Sequence, residues 1–465
     1  MHYEKLPDGS VKCIEDEIPF NLPESWAWCR IKNICTIGTG ATPLKSNSAY
    51  YANGTIPWIT SAATSEEIIT TPADYITERA ITETNCSIYP IGTLIIAMYG
   101  EGKTRGQISE LGIEACTNQA CAALQILADD VRLSQYVKSY FQYSYENLRQ
   151  KAKGGQQPNL NQTIIAETLI AIPPYQETKR IMDSVYQCID QINTIEEGIE
   201  SICTSIENAK KRILDLAIHG QLVPQNPADE PATVLLDRIR AEKEELIRQG
   251  KIKRDKKESV IFRGDDNSYY RRSPDGLEDI TDDLPYDIPD SWEWTSISEL
   301  FSINPRNKIA EDMVVSFIPM PLIDDGYSGC HRSETKEWKS IKTGFSHFQN
   351  GDIGIAKITP CFENRKSVIF RDLCNGYGAG TTELHILRPQ YRDCVLPEYA
   401  LALLKSERFI QSGVQAFTGA VGQQRIGKDY VMNTYFPLPP YAEQRRIIDR
   451  INKLFTLIAT IESAL

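Results

Sequence analysis

Apolar side chains recur every three or four residues between Gln176 and Ile218: Ile181, Val185, Ile189, Ile192, Ile195, Ile199, Ile202, Ile206, Ala209, Ile213 and Leu216. That spacing lines them along one seam of an α-helix. No proline interrupts the stretch, and Gly198 is the only strong helix weakener inside it. Pro173-Pro174-Tyr175 before it and His219-Gly220 after it supply breakers at both ends. Such a helix is about 65 Å long at 1.5 Å per residue. Globular helices rarely run so far, and a narrow seam on a long helix points to a coiled-coil partner. The stretch reads as a rod that holds two bodies at a fixed distance. The alternative, a core helix of one large domain, agrees less well with the strict spacing.

A second helical pattern runs from Pro231 to Gly250, with Val234, Leu235, Ile239 and Leu246 on one side and Arg238, Glu242, Lys243, Glu244 and Glu245 on the other. The basic run Lys251-Ile252-Lys253-Arg254-Asp255-Lys256-Lys257 follows, and the chain then turns acidic and proline-rich from Asp275 to Asp290. Both segments read as linker, with phosphate contact the alternative for the basic run. Elsewhere short buried-strand patterns, such as Gly92–Ala97 and Gly351–Ala356, alternate with turn residues. Helical stretches over Leu133–Gln150 and Pro397–Gln411 complete an α+β picture.

The chain also repeats itself. Leu22-Pro23-Glu24-Ser25-Trp26-Ala27-Trp28 returns as Ile288-Pro289-Asp290-Ser291-Trp292-Glu293-Trp294, 266 residues later. Gly155-Gln156-Gln157 before Pro173-Pro174-Tyr175 returns as Gly422-Gln423-Gln424 before Pro439-Pro440-Tyr441, and the proline pairs are again 266 apart. After each pair an isoleucine-rich helix begins. The middles diverge, which suggests one scaffold fitted to two targets, although duplication followed by drift gives the same pattern.

The 465 residues suffice for two or three domains with cores of their own. No apolar run is long enough to span a bilayer, and Met1-His2-Tyr3-Glu4-Lys5 lacks the form of a secretion signal, so a cytoplasmic protein is expected. Twelve cysteines without a Cys-x-x-Cys pair and five scattered histidines offer no zinc-ligand spacing. A formal net charge of −12 argues against coating nucleic acid by bulk attraction but leaves room for a local basic groove.

Two motifs look catalytic and fail on inspection. Ala97-Met98-Tyr99-Gly100-Glu101-Gly102-Lys103-Thr104 lacks the first glycine of a phosphate-binding loop, and Arg105-Gly106-Gln107 makes a poor start for the helix that such a loop needs. A basic loop that meets a DNA backbone suits it better. Pro173-Pro174-Tyr175 and Pro439-Pro440-Tyr441 are similar to the loop of adenine-amino methyltransferases. Ile172 and Leu438, however, stand where an Asn or Asp must accept from the target amine. Such prolines set the entry into a helix. This lack of catalytic machinery favours a recognition module.

The paired Pro-[Glu/Asp]-Ser-Trp-x-Trp openings, the Gly-Gln-Gln segments, the Pro-Pro-Tyr joints and Leu216-Ala217-Ile218-His219-Gly220-Gln221-Leu222-Val223-Pro224 resemble type I restriction–modification specificity subunits. The resemblance covers nearly the whole chain. It implies two similar α/β target recognition domains joined by long antiparallel coiled-coil helices, related by a pseudo-twofold internal repeat. On this sequence the parts fall at 1–21 (N-terminal arm), 22–175 (first recognition domain), 176–250 (central helices), 251–287 (linker), 288–441 (second recognition domain) and 442–465 (C-terminal helix). Each domain would read one half of a split double-stranded DNA target. Two methyltransferase subunits and two restriction-translocase subunits would dock as partners. The resemblance implies no cofactor on this chain and no catalysis by it, since S-adenosylmethionine, ATP and Mg would serve the partners. One departure stands out. The seam after Tyr441 (Ile447, Ile451, Leu454, Ile458, Ile461) can cover only about half of the rod. The 231–250 helix, a methyltransferase or a shortening rearrangement would account for the rest.

Base reading needs donors and acceptors at base edges, with phosphate contacts to set register. In the first domain the candidates are Lys103, Thr104, Arg105, Gln156, Gln157 and Asn159. In the second they are Lys357, Arg365, Lys366, Gln423, Gln424, Arg425 and Lys428. Glutamine suits an adenine edge and arginine a guanine edge. The four tryptophans of the repeat and the Tyr136–Tyr145 stretch read as packing residues. The competing classes are a protein-only coiled-coil scaffold and a self-sufficient DNA methyltransferase.

Overall fold

A computed structural model describes residues 1–100, 103–128, 130–152, 159–250, 259–391, 393–420 and 423–465. The chain divides into two compact units, Met1–Glu196 and Glu197–Leu465.

In the first unit, Leu94–Ala97 is an unbroken apolar run, and it lies inside a five-stranded sheet. The order is Cys35–Thr39, Cys121–Ile126, Leu94–Ala97, Ile108–Leu111, Ile68–Ile69. A four-stranded sheet follows the order Asp74–Ile76, Ile56–Ile59, Ala115–Thr117, Ile88–Tyr89, with its middle pair parallel. The helix Val131–Tyr143 closes the core with Val137 and Phe141, both fully buried. Ala27–Arg30 pairs antiparallel with Leu169–Ile172, Trp28 opposite Ala171, so the entrance and exit of the unit lie side by side.

The second unit has the same plan. One sheet runs Phe301–Ile303, Leu384–Pro389, Ile353–Ala356, Ser367–Ile369. The other runs Glu334–Glu337, Val314–Ile318, Tyr377–Gly380, Ser346–Gln349, again with a parallel middle pair. Glu293–Ser296 pairs with Tyr435–Leu438, Trp294 opposite Pro437. Tyr136 donates to the carbonyl of Ala171 at 2.6 Å, and Tyr399 to that of Pro437 at 2.9 Å. The tyrosines thus tie each outer helix to the closing strand, as packing residues.

The central helix runs unbroken from Tyr175 to Ile218. Its seam is unevenly covered. Residues 187–205 are all exposed, isoleucines included, whereas Ile206 and Ile213 are buried. The helix Tyr441–Glu462 adds Ile447 and Ile451 to the core that holds Ile213 and Leu214, and Glu462 ion-pairs with Lys210 at 2.6 Å. The helix Ala232–Arg248 buries Leu235, Leu236 and Ile239 in that same core. It therefore does not cover the exposed isoleucines, and Val234, expected on its apolar side, is 42% exposed.

Three expectations need correction. Residues 259–287 are not a bare linker: Val260–Arg263, Tyr269–Ser273 and Gly276–Asp279 form an antiparallel sheet. Its alternate apolar residues Ile261 and Tyr269, with Ile280, cover Trp294. The basic run 251–257 lies outside the described residues. The first 21 residues are not a free arm, because Glu4 and Glu17 each bond the buried Arg30 at 2.8 Å. The Leu133–Gln150 and Pro397–Gln411 stretches are each two helices, broken at Ser144 and at Lys405-Ser406, where the Ser406 hydroxyl caps the next helix.

Candidate nucleic-acid interface

In each unit the central buried strand ends in a loop, and a later segment returns to meet it. In the first unit the Leu160 amide donates to the Met98 carbonyl at 3.1 Å. In the second the Ile426 amide donates to the Lys357 carbonyl at 2.9 Å. Leu160 and Ile426 are 266 residues apart, so equivalent positions make equivalent bonds. A sheet thereby carries a polar rim of loops, the setting in which binding residues are commonly found.

Around the first joint stand Lys103, Thr104, Arg105 and Asn159. The loop turns at Gly106, and its chain continues directly into strand Ile108–Leu111. No helix follows Thr104, so the loop cannot grip phosphate as a nucleotide-binding loop does. Its backbone is held from behind. The Tyr145 hydroxyl donates to the Lys103 carbonyl at 2.5 Å, and Arg149 to the Arg105 carbonyl at 3.0 Å. The Lys103 side chain remains exposed. It borders a cleft of about 430 Å³ that Gln107, Gln142 and Tyr145 also line. Asn159 is half-buried beside Leu160. Gln156 and Gln157 lie outside the described residues.

Around the second joint gather Lys357, Gln423, Gln424 and Arg425. The Thr359 amide donates to the Gln424 carbonyl at 3.1 Å, pinning the glutamine segment to the strand end. Arg425 reaches both oxygens of Glu383, at 2.8 and 3.1 Å, and donates to the Gln423 carbonyl at 2.9 Å. The Arg425 guanidinium in turn holds the Glu383 carboxyl below its usual range. These bonds use donors on all three nitrogens of the half-exposed guanidinium and fix its orientation, leaving its remaining Nη hydrogens for an outside acceptor. Behind it, the His385 Nε2 sits 3.0 Å from the Ile426 carbonyl, and burial pushes this histidine below its ordinary value. Lys428 is exposed at the start of the helix Lys428–Asn433.

Arg365 and Lys366 do not join this group. The Arg365 Nε donates to the Lys405 carbonyl at 3.1 Å, and its guanidinium ion-pairs with Glu407. Lys366 donates to the Ile323 carbonyl at 3.0 Å and lies 3.2 Å from Asp325. Both are mostly buried and occupied by the protein itself, so their role is structural. Sequence reasoning missed Tyr145, Arg149, Glu383 and His385. The Tyr-rich stretch was a signal for the first, but a lone glutamate and a lone histidine carried none. Among the described residues no group of three or more His, Cys, Asp or Glu is placed to hold a metal ion, and no helix is long and apolar enough to cross a membrane.

Residues 23–202 match the family model of the type I restriction modification DNA specificity domain. That part of the chain is thus similar to a type I restriction modification DNA specificity domain. The type I restriction enzyme EcoAI specificity subunit of Escherichia coli is 45% identical over 259 residues, 55% of this chain and 41% of that protein. The EcoEI specificity subunit, also from Escherichia coli, is 42% identical over 258 residues, 55% of this chain and 40% of that protein. The chain thus spans about two fifths of the length of these relatives. In fold it is similar to the HsdS subunit from Thermoanaerobacter tengcongensis, with TM-score 0.50 and 16% identity over 96% of this chain and 93% of that one. A chain from a structure of complex assembly and conformational transition in the type I R-M system gives TM-score 0.54 and 15% identity, over 96% and 94%.

Proposed function

We propose that this chain is the sequence-reading, non-catalytic subunit of a type I restriction–modification complex in the cytoplasm. Its two units act as two copies of one recognition domain, related by an internal pseudo-twofold repeat. Each reads one half of a bipartite, asymmetric double-stranded DNA site. The central helix, paired antiparallel with the C-terminal helix in coiled-coil fashion, sets the gap. Two methyltransferase subunits supply methyl transfer from S-adenosylmethionine. Two restriction subunits supply ATP- and Mg-dependent cleavage.

The observation that carries this reading is the repeated joint. In both units the end of a buried strand is hydrogen-bonded to a loop whose exposed residues are of base- and phosphate-binding type. In the first domain Lys103 and Arg105 suit phosphate, while Thr104 and Asn159 suit base edges. Gln156 and Gln157 are of the type that suits an adenine edge. In the second domain Gln423, Gln424 and Arg425 suit base edges, with Lys357 and Lys428 on the backbone. A self-sufficient methyltransferase is disfavoured because Ile172 and Leu438 end paired strands and offer no side-chain acceptor.

Methylated-base sequencing of a strain with and without the gene tests the proposal. The expected result is a single split motif that vanishes on deletion. A motif that persists in the deletion strain overturns it.

A further inference from the structure

In the first unit three strand ends meet on one edge of the five-stranded sheet. Cys35–Thr39 and Leu94–Ala97 finish there and Cys121–Ile126 begins there, with Thr39 opposite Ala122 and Ala97 opposite Cys121. Met98, whose carbonyl accepts from the Leu160 amide, donates its own amide to the Ala120 carbonyl at 2.7 Å. The turn 118–121 therefore lies on the same rim as the loop that carries Lys103.

Gln119 stands in that turn, exposed but held. The exposed Thr42 hydroxyl donates to Gln119 Oε1 at 2.6 Å, across 77 positions of sequence. Both partners hang from anchored backbone. The Asn118 amide donates to the Ile59 carbonyl at 3.1 Å, and the Cys121 amide closes the turn on the Asn118 carbonyl at 3.2 Å. The Asn118 side chain accepts from the Ala120 amide at 3.1 Å. Next to Thr42, the Ala41 carbonyl accepts from the Trp58 indole at 3.0 Å. Gly40 lets the two segments close up, because a Cβ there would lie 1.7 Å from the Thr117 carbonyl oxygen. A bond between two exposed side chains competes with water and stabilises little, so its effect is to orient the amide. With one Oε1 lone pair taken, the other lone pair and the Nε2 hydrogens serve an outside partner. One acceptor beside one donor complements the major-groove edge of adenine, which offers N6–H and N7. Guanine offers two acceptors there and does not match.

The second unit has the same frame and different side chains at these places. Its Lys357 amide donates to the Glu383 carbonyl at 3.0 Å, as Met98 does to Ala120, so Thr382 stands where Gln119 stands. By the same alignment Leu387 matches Leu124, and these pair with Ile303 and Ile37. Lys308 and Thr42 each follow five residues later. A residue shared by both copies cannot distinguish two targets, whereas a pair that differs at equivalent places can. We propose that Gln119, aimed by Thr42, is a specificity-determining residue that reads an adenine in the half-site of the first unit. Gln119 makes the base contact and Thr42 is its positioning residue. The inference rests on the proposed reading of each unit as a domain that contacts one half-site.

The test is methylated-base sequencing of strains that carry the whole system with the chain unchanged or bearing Gln119→Ala, Gln119→Glu or Thr42→Val. Gln119→Ala should relax one A·T position of one half-site, raising methylation of sites with another base there by roughly tenfold. The gap and the other half stay as they are. Gln119→Glu presents acceptors only and should turn the preference at that position toward cytosine, whose N4 donates. Thr42→Val drops the hydroxyl and should relax the same position and no other. A motif that all three variants leave unchanged overturns the proposal. So does relaxation spread over several positions, or a Thr42→Val effect at a different position. Loss of the whole motif in a variant whose purified chain keeps its circular dichroism also overturns it, and if one variant does not fold the other two decide. Absence of any split motif with the unchanged chain strikes the proposed function itself. An intact split motif indifferent to Gln119 removes only this inference.

Discussion

Four residues inserted into the exposed stretch 187–205 of the central helix should lengthen the gap of the recognition site and leave its two halves unchanged. No residue of that stretch is buried, so an added turn displaces no packed side chain. At 1.5 Å per residue the insertion adds about 6 Å, and at 3.6 residues per turn it leaves a net rotation of about 40°. Two base pairs of duplex add about 6.8 Å and roughly 70° of helical twist. The translation fits two base pairs and the rotation is nearer to one, so a gap wider by one or two base pairs is expected. Methylated-base sequencing of the insertion strain reads gap and half-sequences together. A changed half-sequence with an unchanged gap refutes the reasoning, because it would place base reading on the helix.

Lys103→Ala should weaken DNA binding about equally across sequences and lower the salt slope by about 1, as loss of one phosphate contact does; affinity over a salt series checks it. Arg425→Ala should instead relax discrimination at one position of one half-site by about 1–3 kcal/mol, read by competition with single-base variants of the target. Asp352 is 1% exposed and accepts from Arg388 at 2.9, 3.1 and 2.7 Å, so Asp352→Ala should destabilise the fold by about 3–5 kcal/mol in urea unfolding. The hydrogen bond from Arg30, with a second from Lys12, lowers the Glu17 carboxyl to about 2. Its stabilising share is fully present above its ordinary value and is lost as pH falls toward 2, so Glu17→Gln should flatten the thermal midpoint over that acid window.

The central helix was legible because a period of three to four residues persists for 44 residues. The repeat was legible because its tryptophans, prolines and glutamines are unusual residues at one interval. Coverage of the seam was not, since an isoleucine has the same spacing whether a neighbour lies on it or not. The sheet over 259–287 hid behind strands of mixed polar and apolar residues, of which Ile261 and Tyr269 are buried with Ile280 against Trp294. Arg365 and Lys366 looked available because their partners, the carbonyls of Lys405 and Ile323, lie some forty residues away and are backbone atoms. Arg425 was a candidate by residue type alone. The glutamate that holds it, Glu383, lies 42 residues upstream and has no local pattern to betray it.

The pairing of Ala27–Arg30 with Leu169–Ile172, and of Glu293–Ser296 with Tyr435–Leu438, has an evolutionary corollary. The chain leaves each domain beside the point where it came in. Everything between those two adjoining strands enters and leaves through one short doorway, and in the second unit it also meets the helices, where Arg240 bonds Glu299 at 2.9 Å and Lys211 lies 3.4 Å from Glu407. Similar words flank both doorways, Pro23-Glu24-Ser25-Trp26 at one and Pro289-Asp290-Ser291-Trp292 at the other. On the proposed function, an insert carried over with its partner contacts would bring its own reading surface with it, with no step in which a half-altered domain must fold.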